Sequence, residues 1–150
     1  VTVVVGADGS DASCRALRHA ARSAAARGAR LRVVMAYRPP EWMRARALGP
    51  ADVEPTPSRP VPACAELEAT RRMTEEVIAE LRDGTGLPVD VEVVALPGDP
   101  ADVLGEAARD ADELVVGHRG HGAVASLLLG SVALACLLRA TCPVTVVPDR

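Results

Sequence analysis

The stretch Leu114-Val115-Val116-Gly117-His118-Arg119-Gly120, closed after nine intervening residues by Gly130-Ser131, decides how this chain folds and points to what it holds. It reads as an apolar strand, a glycine-rich turn and the start of a helix, with small residues spaced Gly-x2-Gly-x9-Gly-Ser. A strand that ends in glycines and restarts as a helix leaves several backbone N–H groups pointing into one concavity. Free amides and a helix N-terminus both favour negative charge, so this geometry suits a phosphate. Gly130 lets the backbone approach such a ligand closely, while the Ser131 hydroxyl and the Val132 amide can donate to its oxygens. Singly, Gly117 and Gly120 are turn glycines and Gly130-Ser131 is a helix start; their combination in one strand–helix unit favours phosphate binding.

Outward from this unit, the chain alternates strands and helices. Val1–Val5 is a continuous β-branched run, as suits a strand buried on both faces, and it ends at Gly6-Ala7-Asp8-Gly9-Ser10. Ser10 is the expected cap of an alanine-rich helix over 13–27, which Gly28 stops. Leu31–Ala36 is the second strand. The proline-rich stretch 38–62 reads as an irregular excursion, with Tyr37 and Trp42, the only aromatics, at its start. A helical period returns through Leu67, Thr70, Met73, Val77 and Leu81, and Gly84 and Gly86 end it. Residues 89–93 alternate valine with acid, the pattern of a strand with one wet face near a sheet edge. A short helix over 100–109 follows, then the strand 114–116, a helix over 131–139, and a last strand over 144–147 between Pro143 and Pro148.

The order βαβαβαβαβ implies one α/β domain over residues 1–150, a doubly wound, Rossmann-like parallel sheet with helices on both faces. In such sheets the ligand lies at the carboxyl ends of the strands where the winding reverses. The first strand ends in Asp8-Gly9 and the fourth in Gly117, so if these two are neighbours the phosphate motif occupies the switch point. Asp8 suits ribose hydroxyls or a phosphate-bound Mg²⁺, with helix capping as the plainer role. Ala36 is small enough to leave room for a base. Arg119 is a solvated or phosphate-facing charge.

Composition removes several alternatives. The net charge of −3 offers no basic field to nucleic acid or anionic lipid. All 17 basic residues are arginine, which excludes a lysine-bearing phosphate loop and Schiff-base chemistry. Cys14, Cys64, Cys136 and Cys142 show no Cys-x-x-Cys spacing and read as reduced thiols of a cytoplasmic protein. His118-x-x-His121 has no loop Cys, Asp or Glu to complete a metal site, so no metal is expected from protein ligands alone. Gly120-x-Gly122-x-x-Ala125 matches a dinucleotide fingerprint by letter, without the acidic residue that should follow it about 20 positions on. The uncharged run 123–138 is too short for a membrane span and is broken at Gly130-Ser131; it reads as a buried loop and a buried helix. The opening run meets Asp8 too early for a signal peptide, and the first residue is not Met, as in a trimmed chain or one domain of a tandem protein. No catalytic pair is visible, so the site is expected to hold a nucleotide without efficient turnover.

These residues resemble the nucleotide-binding branch of the universal stress protein family. Gly117, Gly120, Gly130 and Ser131 match its Gly-x2-Gly-x9-Gly-Ser/Thr motif, and VTVVVGADGSDAS, LPGDPADVL and CPVTVV are similar to further family stretches. The resemblance implies a five-stranded parallel sheet in the order 3-2-1-4-5. It also implies ATP, or AMP or ADP, as ligand, with Mg through the nucleotide. Ala7, Asp8 and Ala36 would flank base and ribose; Val116, Gly117, Gly120, Gly130, Ser131 and Val132 would hold the rest. It further implies a stress-response role and a homodimer through Val144–Val147. Two readings from other classes are an adenylating enzyme of the related ATP pyrophosphatase fold and a nucleotide-free interaction module. The first would carry Ser-Gly-Gly-x-Asp-Ser where this chain has Gly6-Ala7-Asp8-Gly9-Ser10.

Overall fold

The computed structural model describes residues 1–38, 62–85, 90–121 and 128–149. Among the described residues nine elements follow one another: β1 (Thr2–Gly6), α1 (Asp11–Arg27), β2 (Arg30–Tyr37), α2 (Pro62–Thr85), β3 (Val91–Pro97), α3 (Pro100–Ala107), β4 (Glu113–Gly117), α4 (Ser131–Arg139) and β5 (Val144–Val147). The sheet order is β3-β2-β1-β4-β5, and all four neighbouring pairs are parallel. Winding runs outward from β1 to β3, then returns past β1 to β4 and β5. The reversal therefore falls between β1 and β4, as the sequence condition required.

The continuous apolar strands are the central ones. Val3, Val4 and Val5 of β1 and Leu114 and Val115 of β4 are fully buried. Alternation sends Val3 and Val5 to a core with α1 and α2, and Val4 to a second core with α3 and α4. Ala16, Ala20, Ala21 and Ala24 make the buried stripe of α1, and their short side chains let that helix sit low on the sheet. Ser10 caps it by accepting from the Ser13 amide at 3.2 Å, and Gly28, at φ +61°, closes it in the left-handed conformation that glycine adopts without steric cost. Asp99 caps α3 by accepting from the Ala101 amide at 3.1 Å, with Pro100 in the first turn where a missing N–H costs nothing.

Several sequence expectations shift. The second long helix passes through Gly84 to Thr85, because a side chain there would meet only open space and nothing forces a stop. Gly86, Val89 and positions 39–61 of the proline-rich stretch lie outside the described residues. The larger correction concerns α4. Only one side of it, Ala133 and Cys136, is buried; Leu134, Leu137 and Leu138 are exposed, Leu138 to 76%. Absence of charge marked an apolar surface, not a buried helix. Among the described residues no helix is long and apolar enough to cross a membrane. Cys14, Cys136 and Cys142 are unpaired thiols, and burial pushes all three above their ordinary pKa.

At the amino ends of the strands, Glu113 is buried to 5% exposure. Its carboxylate accepts from Ser23 Oγ at 2.7 Å and Thr145 Oγ1 at 2.6 Å, and lies 3.2 Å from Arg27 Nη2. One side chain thus ties α1, β4 and β5 together at the end of the sheet opposite the strand termini that carry the motif.

Candidate functional site

The carboxyl ends of β1, β2 and β4 open into a cleft of about 410 Å³. Every position singled out from the sequence lines it: Ala7 and Asp8 beyond β1, Ala36 in β2, Val116 and Gly117 in β4, Arg119 and Gly120 in the loop, and Gly130, Ser131 and Val132 at the start of α4. The β1–β2 ladder continues to Ala7, whose amide donates to Val34 O at 3.0 Å, so this wall is rigid where the site begins.

The glycines of the motif have protein neighbours, which revises the reason for each. A Cβ on Gly117 would stand 2.8 Å from the Ala12 carbonyl carbon, because β4 ends against the first turn of α1. A Cβ on Gly120 would collide with the Asp8 carboxylate. Gly130 was expected to clear space for the ligand. A Cβ there would in addition press on the chain after β4, 3.1 Å from His118 O and 3.2 Å from Arg119 Cα. The Gly130 amide donates to His118 O at 2.9 Å, pinning the loop shut at its base, while the His118 amide donates to Val147 O at 2.9 Å. Among the described residues, the motif glycines allow close backbone approach to α1, to Asp8 and to the chain just after β4.

That packing leaves donors unspent. Gly130 caps α4 without a side chain, and the first intrahelical bond runs from the Leu134 amide to Gly130 O at 3.0 Å. The amides of Ser131, Val132 and Ala133 precede that bond, and these residues line the cleft, where the positive end of the helix dipole adds to them. Arg119 also lines the cleft, and its buried Nε has no hydrogen-bond partner among the described residues.

Asp8 does not cap α1; Ser10 does. The Asp8 Oδ1 accepts from the Ser10 amide at 2.9 Å and hydroxyl at 2.5 Å, and Oδ2 accepts from the His121 amide at 3.1 Å. Burial pushes this carboxyl up, but those three hydrogen bonds together outweigh it and hold it below its ordinary pKa. Asp8 therefore stays ionised at neutral pH and ties the end of β1 to the glycine loop.

Sequence reasoning missed the wall contributed by α2. Glu66, Leu67 and Thr70 line the cleft, as do Tyr37 and Arg38 at the end of β2 and Leu104 of α3. Thr70 carried a signal: it is a hydroxyl at an otherwise apolar position of the helical period. Its hydroxyl lies 2.9 Å from where a Gly9 Cβ would stand, so α2 closes over the turn after β1. Among the described residues no three His, Cys, Asp or Glu side chains gather as a metal site.

The sequence profile of the universal stress protein family matches residues 2–148. The chain belongs to the universal stress protein family. It is 38% identical over 149 residues to a universal stress protein of Thermus aquaticus, covering 97% of both chains. A universal stress protein of Mycobacterium tuberculosis is 37% identical over 148 residues, at 97% of this chain and 94% of that one. The chain also spans about half the length (48%) of other mycobacterial universal stress proteins, at 31% identity. Among solved structures, a universal stress protein in complex with cAMP superposes with a TM-score of 0.67 at 30% identity, covering 97% of this chain and 95% of that one. One from Archaeoglobus fulgidus in complex with dAMP gives 0.65 at 24% identity, covering 97% and 96%, a likeness that bears on the fold.

Proposed function

We propose that the cleft of this universal stress protein holds an adenine nucleotide, ATP or its mono- or diphosphate, and that the domain is a cytoplasmic stress-response regulator without efficient catalysis. The observation that carries this reading is the N-terminus of α4, which has no side-chain cap, in one cleft with Arg119, whose Nε has no hydrogen-bond partner among the described residues. Both favour an anion, and the winding reversal puts them where a doubly wound sheet takes its ligand. The cAMP held by the 30%-identical neighbour supports an adenine nucleotide. Ala7 and Ala36 leave room for base and sugar. Asp8 retains lone pairs for a ribose hydroxyl or for Mg²⁺ carried by the nucleotide. What supports low turnover is the chemistry of the lining, in which no lysine stands by to stabilise phosphoryl transfer. Denaturing the purified protein should release an adenine nucleotide, and added ATP should stay largely intact over minutes at stoichiometric protein. Absence of any bound or bindable nucleotide would sink the reading; turnover above about one per second would reveal a catalytic group.

A homodimer through β5 is part of the same proposal. Pro143 O and Val147 O accept from β4, so alternation turns the amides of Val144 and Val146 outward along the sheet edge. Beside that edge, Arg139 donates to Asp102 Oδ1 on α3 at 2.7 Å, which leaves the exposed pair Leu134 and Leu138 on the flank of α4 turned away from α3. An edge that no described strand pairs with, next to exposed leucines, fits a second copy of the same surface. Val146→Pro removes an outward amide and spares the β4 ladder, so it should shift the protein to monomer with native circular dichroism. A wild-type chain that sediments as a monomer at tens of micromolar would refute the dimer.

A further inference from the structure

A cluster of ionisable side chains lies outside the cleft, at the base of the glycine loop. His118 directly follows β4, and its backbone is held on both sides. Its amide donates to Val147 O and its carbonyl accepts from the Gly130 amide, each at 2.9 Å. Its imidazole reaches toward Asp149, two residues beyond β5, with Nδ1 4.0 Å from Asp149 Oδ2. That Nδ1 is buried and has no hydrogen-bond partner among the described residues. The other carboxylate oxygen, Oδ1, accepts from Arg15 Nη2 on α1. Asp149 is therefore anchored from α1, with its second oxygen facing the imidazole.

A separation of 4.0 Å is too long for a hydrogen bond, so a buried polar atom stands beside a carboxylate without bonding it. While the imidazole is neutral, that arrangement costs stability. A proton changes it, because it makes both ring nitrogens donors and adds a positive charge, which draws the pair toward a charge-assisted bond of about 2.8 Å. Histidine is the side chain whose ordinary titration falls between about pH 5 and 8. Few other charges bear on the imidazole. Arg119, the next residue, lines the cleft. The first turn of α4, Ser131-Val132-Ala133-Leu134, and the strand Val144–Val147 carry no ionisable side chain. On α1, Asp11 precedes Arg15 by one turn and His19 follows it by one turn. Arg15 and a protonated His118 would take separate oxygens of one carboxylate, so each cation sits closer to Asp149 than to the other and attraction exceeds repulsion.

We propose that His118 and Asp149 form a pH-dependent clasp, which closes when the imidazole is protonated and then ties the base of the glycine loop to the chain beyond β5. The clasp contributes stability on the acid side of the histidine titration and loses it as pH rises. It acts at the residue whose carbonyl receives the Gly130 amide, so closing it steadies the loop at its base.

Urea titrations of wild type, His118→Gln, Asp149→Asn and the double variant, at about pH 5.5 and about pH 8, test the clasp. The coupling between the two positions should be about three-fold in the unfolding constant at the acid pH and absent at the alkaline one. Loss of the Arg15 contact in Asp149→Asn is common to both pH values, and His19 and His121 are present in all four proteins, so neither creates that difference. Coupling of equal size at both pH values overturns the proposal, since a neutral contact would then explain it. So does coupling at neither. If His118→Gln does not fold, wild type against Asp149→Asn decides, because the partly exposed Asp149 leaves both cores intact. Its loss of stability should be larger at the acid pH, and an equal loss at both overturns the clasp. No ligand enters these measurements, so their outcome is independent of the nucleotide reading.

Discussion

Gly130→Val should lower adenine-nucleotide affinity by at least about 100-fold, a loss of about 2.7 kcal/mol. The backbone of Gly130 is at φ −68° and ψ 152°, which any residue adopts, so the effect comes from packing and not from conformational freedom. The first carbon of a side chain would stand 3.1 Å from His118 O and 3.2 Å from Arg119 Cα, both tight for backbone neighbours. Two further methyl groups cannot be placed without driving that backbone away. The bond from the Gly130 amide to His118 O would stretch from 2.9 Å, the loop would lift off its base, and Arg119 would leave its position beside the α4 amides. Overpacking of this kind costs about 1–3 kcal/mol of stability, which a domain with two intact cores tolerates. Gly130→Ala makes a graded control, since one carbon needs the loop to move only slightly, and should weaken binding about ten-fold. Calorimetry alongside circular dichroism reads both variants. A natively folded valine variant with wild-type affinity would show that the loop base does not form part of the ligand site.

The second large effect is on stability. Glu113→Ala should cost about 3 kcal/mol at neutral pH, because hydrogen bonds to a buried charged group are among the more valuable ones and Arg27 would lose its partner. The pH dependence follows from the direction of the pKa shift. Burial raises the Glu113 pKa, but the hydroxyls of Thr145 and Ser23 and the charge of Arg27 together lower it below the ordinary value. A depressed carboxyl stabilises the fold at pH above its unfolded value, about 4.3, and that stabilisation disappears as pH falls through the folded value. Urea titrations of wild type and variant should therefore differ most near pH 7 and converge below about pH 4. A difference that stays constant on acidification would mean that the side chain acts through packing alone, not through its charge.

Much of the architecture was legible in the chain itself, because the relevant physics is local. Val3–Val5 and Leu114–Val116 are uniformly β-branched or apolar, as strands covered on both faces are, and they became the central strand and one of its two neighbours. Ser10, Gly28, Asp99 and Pro100 punctuate helices through bonds that reach no more than a few residues. The glycine spacing after β4 was readable for the same reason: strand, loop and helix are contiguous, so their free amides converge without help from elsewhere. All ten expected positions lie on one cleft, the seven of the β4–α4 unit through that contiguity and Ala7, Asp8 and Ala36 because the sheet sets β1 and β2 beside β4.

The misreadings share a cause too. The uncharged run before Arg139 suggested a buried helix, yet the sheet edge is narrow and α4 has one covered side, leaving Leu138 in solvent. Hydropathy reports what a side chain tolerates; coverage depends on what the rest of the chain brings to it. Glu113 looked like an ordinary acid at the start of a strand, and only partners 90 and 32 residues away turned it into a buried tie. At Gly130 the sequence offered room for a ligand, and only the return of His118 beneath it added a second demand, the close approach of two backbone segments.

The sequence by itself determined the alternation of elements, the caps Ser10 and Gly28, the burial of the first strand on both faces, and the glycine spacing between β4 and α4. These are set by torsional preference, hydrophobic period and contacts within a turn or two. The tertiary structure alone decided the wall that α2 adds with Glu66 and Thr70, and the Asp8 carboxylate bound to the amide of His121. Each of those joins segments distant along the chain, here Asp8 and His121 at a separation of 113 residues. No local preference encodes such a meeting; it exists only once the sheet has brought the carboxyl ends of β1 and β4 side by side.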